Sequence, residues 1–309
     1  MRLVPLALAL ALALSLALPA LHPAAAAEEL TGTLKKVKEL GAITMGVRDS
    51  SVPFSYLDDK QKPVGFAVDI CMKVVDAVKA RVGAPDLKVV ITSVTGSTRI
   101  PLLANGTIDL ECGSTTNNAA RQKQVAFSNT YFLTASRFVS KGAAGFNGID
   151  SLEGKTVASA SGTINIAQLT NVNLTWKLGI NILTAREHAE AFLLVETGRA
   201  VACVMDDVLL ASFIAASKDP AAYKISEDAF SQPEPYSIMF RKDDPAFKQL
   251  VDAATADLFR SPEITAMYNR WFMQPIPPRN LNMNLPMSPE LARAFQNPTD
   301  SPDPDHYGS

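Results

Sequence analysis

Apolar residues recur along this chain in two rhythms. After an uncharged stretch from Leu3 to Ala27 built almost entirely of Leu and Ala, short apolar runs alternate with segments of helical spacing. Ile43–Val47 predicts a strand, and Val68, Cys71, Val75, Val78 and Val82 predict a helix over Ala67–Val82. Leu87–Ile91 is the next strand, Arg99–Leu103 begins a helix whose end Asn105-Gly106 marks, and Ile108–Leu110 is a third strand. A second, self-contained set follows. It places strands at Thr156–Ala160, Ile180–Leu183 and Val201–Met205, with helices at Ile164–Leu169, Glu187–Val195 and Val208–Ala216. Tyr236–Phe240 then predicts a single strand, and Phe247, Leu250, Val251, Ala254 and Leu258 an amphipathic helix.

Alternating strands and helices imply α/β architecture, with mostly parallel sheets covered by helices. Ligands of such sheets bind beyond the carboxyl ends of the strands, so the residues just after Val47, Leu110, Ala160 and Met205 are the ones to inspect.

The first apolar stretch has Arg2 before it and Ala24-Ala25-Ala26-Ala27 at its end, the pattern of a cleaved signal peptide over residues 1–27. No other window resembles a membrane span, and no Cys lies near the cut to carry a lipid anchor. About 280 residues would remain, enough for two domains. With Arg2 removed the chain carries 28 basic and 31 acidic residues, which argues against nucleic acid as a partner. The Pro- and Asp-rich segment 297–309 is expected to be a flexible tail.

Cys71, Cys112 and Cys203 form no C-x-x-C pair and show no metal spacing. An odd number in an oxidising compartment leaves at least one thiol free; all three read first as small buried hydrophobes, with a pairing of Cys112 left open. His188 is the one histidine inside the expected body, which excludes histidine-rich metal sites and most catalytic triads. No metal and no cofactor is expected.

The strand ends carry donors. Arg48 follows the first strand, Ser114-Thr115-Thr116 and Arg121 the third; Ser161-Gly162-Thr163 opens a helix, Asp206-Asp207 follows Met205, and Arg99 and His188 open or line two more helices. Arg pairs bidentately with carboxylates, hydroxyls fill remaining lone pairs, a helix N-terminus adds N–H groups, and Asp206 or Asp207 suits an ammonium. The bland readings are equally concrete: a surface ion pair for each Arg, helix caps for the Ser-Thr-Thr and Asp-Asp runs, and a solvated position for His188. The residues by themselves reach a two-lobe binder of an anion.

At these positions the sequence closely resembles the periplasmic glutamate/aspartate-binding proteins of ABC transporters, within the polar-amino-acid solute-binding proteins. The resemblance rests on an ordered set: Arg48-Asp49-Ser50-Ser51-Val52-Pro53-Phe54-Ser55-Tyr56, Arg99-Ile100-Pro101-Leu102-Leu103, Glu111-Cys112-Gly113-Ser114-Thr115-Thr116-Asn117-Asn118, Arg121-Gln122-Lys123, Gly198-Arg199-Ala200-Val201-Ala202, Met205-Asp206-Asp207 and Pro275-Ile276-Pro277-Pro278-Arg279-Asn280-Leu281-Asn282-Met283-Asn284. It implies a type II periplasmic binding protein fold with a two-segment hinge. Lobe one would comprise residues 28–135 and 232–296, and lobe two residues 136–231. It also implies a monomer that presents L-glutamate or L-aspartate to an inner-membrane ABC transporter permease. By the same resemblance Arg121 and Ser114 clamp the α-carboxylate, Thr116 and Asp206 hold the ammonium, Arg48, Arg99 and His188 form the side-chain carboxylate pocket, and Thr163 adds donors. Gly96 stands where close relatives often have Ser, and Ile164 where a second hydroxyl residue is common; either change can shift preference between the two acids.

Three rivals remain at this point. One is a binder of another polar amino acid or dicarboxylate. A cyclohexadienyl dehydratase on the same plan would need a general acid in the cleft, for which Glu111 is the candidate. The sensing lobe of a receptor would need further membrane segments.

Overall fold

The computed structural model describes residues 29–307. The expected signal segment, residues 1–27, lies outside them. No helix among the described residues is long and apolar enough to cross a membrane.

Two five-stranded sheets organise the chain. In the first, Ala42–Val47 pairs in parallel with Lys88–Ser93 on one side and Leu110–Cys112 on the other. Met239–Arg241 follows antiparallel, and Val125–Phe127 closes the edge antiparallel to it. The second sheet repeats the plan: Asn181–Ala185, Thr156–Ala160 and Ala202–Asp206 run parallel, then Ser136–Lys141 is reversed and Tyr223–Ile225 closes the edge. One strand in each sheet thus opposes the other four. The central Ala202–Asp206 strand is buried throughout, as its apolar run demands. Lys88–Ser93 is an edge strand and leaves Val90 and Ile91 exposed.

Two short strands, Phe132–Thr134 and Glu234–Tyr236, pair antiparallel where the chain passes between the sheets. The single strand expected at Tyr236–Phe240 is therefore two. The break lies at Ser237 and Ile238, whose N–H groups donate to the Thr115 carbonyl at 3.1 Å and the Ser128 hydroxyl at 3.0 Å. The backbone changes partners there, from the crossover pair to the first sheet. Phe132 stacks on Phe272 with centroids 5.2 Å apart, and Phe54 meets Phe132 edge-on at 4.8 Å, packing the crossover into an aromatic core.

Two expectations need correction. Cys71 and Cys112 are not separate buried thiols but a disulfide that ties the Phe66–Val82 helix to the Leu110–Cys112 strand; Cys203 is buried and free. The segment expected to be a flexible tail is docked on the first lobe as far as Tyr307. Thr130 N–H donates to the Thr299 carbonyl at 2.8 Å, the Asp300 carbonyl accepts from Asn117 at 2.9 Å, and the buried Tyr307 hydroxyl meets that of Thr130 at 2.7 Å. A low-hydrophobicity stretch is held here by backbone hydrogen bonds and one aromatic anchor, which its composition does not display.

Candidate functional site

The carboxyl ends of both sheets face a common narrow cavity. Its walls bring together Arg99, Ser114, Thr116, Arg121, Thr163, His188 and Asp206, seven of the eight residues singled out from the sequence, with Ile164 and Asn165 completing the lining. Arg48 is the exception. It is fully buried beside the cavity, where its Nη2 donates to Glu187 Oε2 at 2.5 Å across the cleft.

Each residue is placed by local structure. Arg99 opens the Arg99–Ala104 helix, and its Nη1 donates to the Thr115 hydroxyl, which in turn donates to Glu111 Oε2 at 2.7 Å. Arg121 lies in the Ala119–Gln122 helix, capped by the Asn118 side chain; its Nη1 donates to the Thr116 carbonyl at 2.8 Å and its Nη2 reaches the Gly162 carbonyl at 3.4 Å from the second lobe. Thr163 caps the Ile164–Thr175 helix by accepting from Ile166 N–H. Its cap role and its place on the cavity wall coexist. Of the acidic pair, Asp206 faces the cavity, accepting from Tyr236 OH and from Asn165 at 2.9 Å, whereas Asp207 turns away to Thr134 at 2.6 Å.

Burial sets the protonation states. It pulls Arg99 down to about 9 against the opposing pull of Glu111, so the guanidinium stays charged at neutral pH. Burial likewise lowers Arg121, with Glu111 and Glu234 opposing. His188 falls well below its ordinary value through burial first and then Arg48 and Arg99, which makes it a neutral imidazole. Asp206 rises to about 6 through burial, partly offset by its bonds to Tyr236 and Asn165. The first-lobe wall is thus cationic and the second-lobe wall carries the acceptor.

Several polar atoms in or beside these walls are buried without a protein partner: Arg48 Nε and Nη1, Arg99 Nε, the Ser114 hydroxyl and His188 Nδ1. Leaving such groups unpaired is costly, roughly 1–3 kcal/mol each and more for charged ones. Their convergence is what a site for an anion requires. Glu111 is fully buried behind the wall, with Oε2 bonded to Thr115 and Oε1 3.7 Å from Arg99 Nη1, so it is a counter-charge for Arg99 and not a general acid open to the cleft.

Sequence reasoning did not single out Thr115, Glu187, Asn165 or Tyr236. Thr115 stood inside a motif already noted. Glu187, beside His188 at a helix start, is indistinguishable in sequence from an ordinary acidic helix entry, and Asn165 and Tyr236 matter only through what they touch.

This architecture defines a class, the two-lobe binding module, with the candidate site between the sheets. The profile of the bacterial extracellular solute-binding proteins, family 3, matches residues 43–274, and the chain belongs to that family. It is 49% identical over 275 residues to the L-glutamate/L-aspartate-binding protein of Pseudomonas aeruginosa, covering 89% of this chain and 91% of that one. It is 44% identical over 275 residues to the glutamate/aspartate import solute-binding protein of Escherichia coli, with the same coverage of 89% and 91%. Among solved structures, an ancestral arginine-binding protein bound to arginine superposes with a TM-score of 0.67 at 26% identity, over 75% of this chain and 98% of that one.

Proposed function

We propose that this solute-binding protein is the periplasmic receptor of an ABC importer and that its ligands are L-glutamate and L-aspartate. The observation that carries the reading is the set of unpartnered buried polar atoms on Arg48, Arg99, Ser114 and His188 around a cavity that also holds Arg121 and Asp206. A zwitterionic head needs a carboxylate clamp and an ammonium acceptor, which Arg121 with Ser114 and Asp206 with Thr116 provide. A second carboxylate needs further cationic donors, and Arg99, with Arg48 and neutral His188 near it, supplies them. The relatives named for glutamate and aspartate support the same ligands.

The two lobes, residues 28–135 with 232–296 and residues 136–231, close on the ligand about the Phe132–Thr134 and Glu234–Tyr236 pair. The Arg48–Glu187 pair and the Arg121 contact to Gly162 then join the walls. The closed monomer is what the membrane permease engages. Residues 1–27 are the export signal.

Calorimetric titration with glutamate, aspartate, glutamine and asparagine tests the assignment. The two acids are expected to bind in the micromolar range or tighter, about −8 kcal/mol or better, and the two amides far more weakly. Arg99→Ala should weaken binding of the acids by about 100-fold or more, because a buried carboxylate would lose its charged partner. Acids and amides binding alike, or an unchanged glutamate affinity in Arg99→Ala, would overturn the reading.

A further inference from the structure

Arg121 belongs to the Ala119–Gln122 helix, a single turn of four residues, too short to hold its own shape. Its order must come from what grips it. At its start the Asn118 side chain accepts from Arg121 N–H, and Asn117 N–H donates to the Pro235 carbonyl of the crossover at 2.8 Å. At its end the Gln122 side-chain amide donates to Asn117 Oδ1 and to the Asp300 carbonyl, both at 3.0 Å. Asn117 Nδ2 donates to the same Asp300 carbonyl at 2.9 Å. One backbone oxygen of the segment 297–307 thus uses both of its lone pairs on the two side chains that flank the helix.

That oxygen is itself fixed from several sides. Thr130 N–H donates to the Thr299 carbonyl at 2.8 Å, and Lys248 of the Pro245–Phe259 helix pairs with the Asp300 carboxylate at 2.9 Å. The buried Tyr307 hydroxyl donates to the Ser301 carbonyl at 2.8 Å and meets the Thr130 hydroxyl at 2.7 Å, so the segment closes on itself and on the first lobe. Because the Asp300 carboxylate is turned to Lys248, the contact to Asn117 and Gln122 is made by backbone alone. Arg121 in turn donates from Nη1 to the carbonyl of Thr116, the residue before Asn117, and faces the cavity. Asn117, Gln122 and Asp300 are not among the residues that line it.

We infer that the segment 299–307 is a positioning strap for the carboxylate clamp: through the Asp300 carbonyl it ties Asn117 to Gln122 and so presets Arg121, and Asn117 and Gln122 act on the ligand through Arg121 without touching it. The inference rests on the assignment of Arg121 to the α-carboxylate proposed above. The α-carboxylate is common to glutamate and aspartate, so loosening the strap weakens both acids by the same factor.

The test compares Gln122→Ala, Gln122→Glu, Tyr307→Ala and the combination of Gln122→Ala with Tyr307→Ala, all in the full chain. Calorimetry with both acids and hydrogen exchange with and without glutamate supply the readouts. Gln122 is half-buried, so its replacement leaves the fold intact. Gln122→Ala and Tyr307→Ala are each expected to weaken glutamate and aspartate alike by about fivefold to tenfold, as the loss of one or two hydrogen bonds implies. Gln122→Glu, which keeps the length of the side chain but sets acceptors against two acceptors, should lose at least as much. The combined variant should lose little more than either single one, because both break the same link. Exchange should quicken over 117–124 and stay unchanged over 202–206, where Asn165 and Tyr236 hold Asp206. A glutamate affinity unaltered in Gln122→Ala, losses that multiply in the combined variant, or a changed aspartate-to-glutamate ratio would overturn the inference. Wild-type protein that binds neither acid would defeat the ligand assignment instead, and the exchange over 117–124 would still decide whether the strap holds the turn.

Discussion

Leu110–Cys112 and Ala202–Asp206 hold the same place, third of five, in their two sheets, and each carries a cysteine and delivers site residues from its carboxyl end. They are braced in opposite ways. Cys112 is bonded to Cys71 of the helix behind it, and the next turn of chain provides Ser114, Thr115 and Thr116. Cys203 is unpaired and its thiol is pushed far up by burial, so that strand has no covalent brace. Its Asp206 is oriented by hydrogen bonds from Asn165 and from Tyr236 of the crossover pair. The first wall is a fixed set of donors with its own counter-charge, Glu111. The second is an acceptor whose alignment depends on the crossover between the lobes.

Removing the covalent brace should have the largest effect on stability. Cys71 and Cys112 are 41 residues apart, and the loop-closure estimate for a loop of that length is about 4 kcal/mol. The double variant Cys71→Ala with Cys112→Ala is expected to lose stability of that order in urea denaturation, whereas Cys203→Ala loses only the packing of a small side chain. Equal losses would erase the contrast between the two strands. Asp206→Asn comes next, with binding weakened about 30- to 100-fold, or roughly 2–3 kcal/mol. Because the ammonium is common to all α-amino acids, residual glutamine binding should fall with glutamate binding, unlike the effect of Arg99→Ala. A loss confined to the acids would show that Asp206 does not serve the head group.

A further effect concerns the crossover itself. Glu234 is pushed up to about 8 by burial and by Asp206 nearby, against the hydrogen bond from Gln168 at 2.5 Å. In the unfolded chain its carboxyl titrates near 4.5. Between these values the folded state holds a proton that the unfolded state has lost, so this group's contribution falls as pH rises from about 4.5 to about 8. Glu234→Gln mimics the protonated form and should flatten that decline in the ligand-free protein, with its gain growing up to about pH 8 and level above it. A denaturation series at pH 5, 7 and 9 that is identical in both proteins would remove Glu234 from the account.

What sequence could reveal divides along physical lines. Arg99, Arg121, Ser114 and Asp206 were legible because strand order dictates where an α/β site lies, and strands announce themselves by apolar runs. The Cys71–Cys112 bond was not, since nothing in a separation of 41 residues distinguishes it from other pairings. Nor was the Arg48–Glu187 pair, which joins residues 139 apart that meet only when the lobes do. The division of Tyr236–Phe240 into two strands escaped notice because both halves are apolar and the change of partner is made by the backbone and by the Ser128 hydroxyl.

The reversed strand Met239–Arg241 has a consequence for how the molecule comes into being. It lies between Leu110–Cys112 and Val125–Phe127, joining two strands made more than a hundred residues earlier. A chain that emerges end-first, from a ribosomal tunnel or a membrane channel, cannot complete its first sheet until the whole second lobe has been delivered. Val125–Phe127 waits for its neighbour all that time, and assembly of the first lobe is timed by the arrival of residue 241.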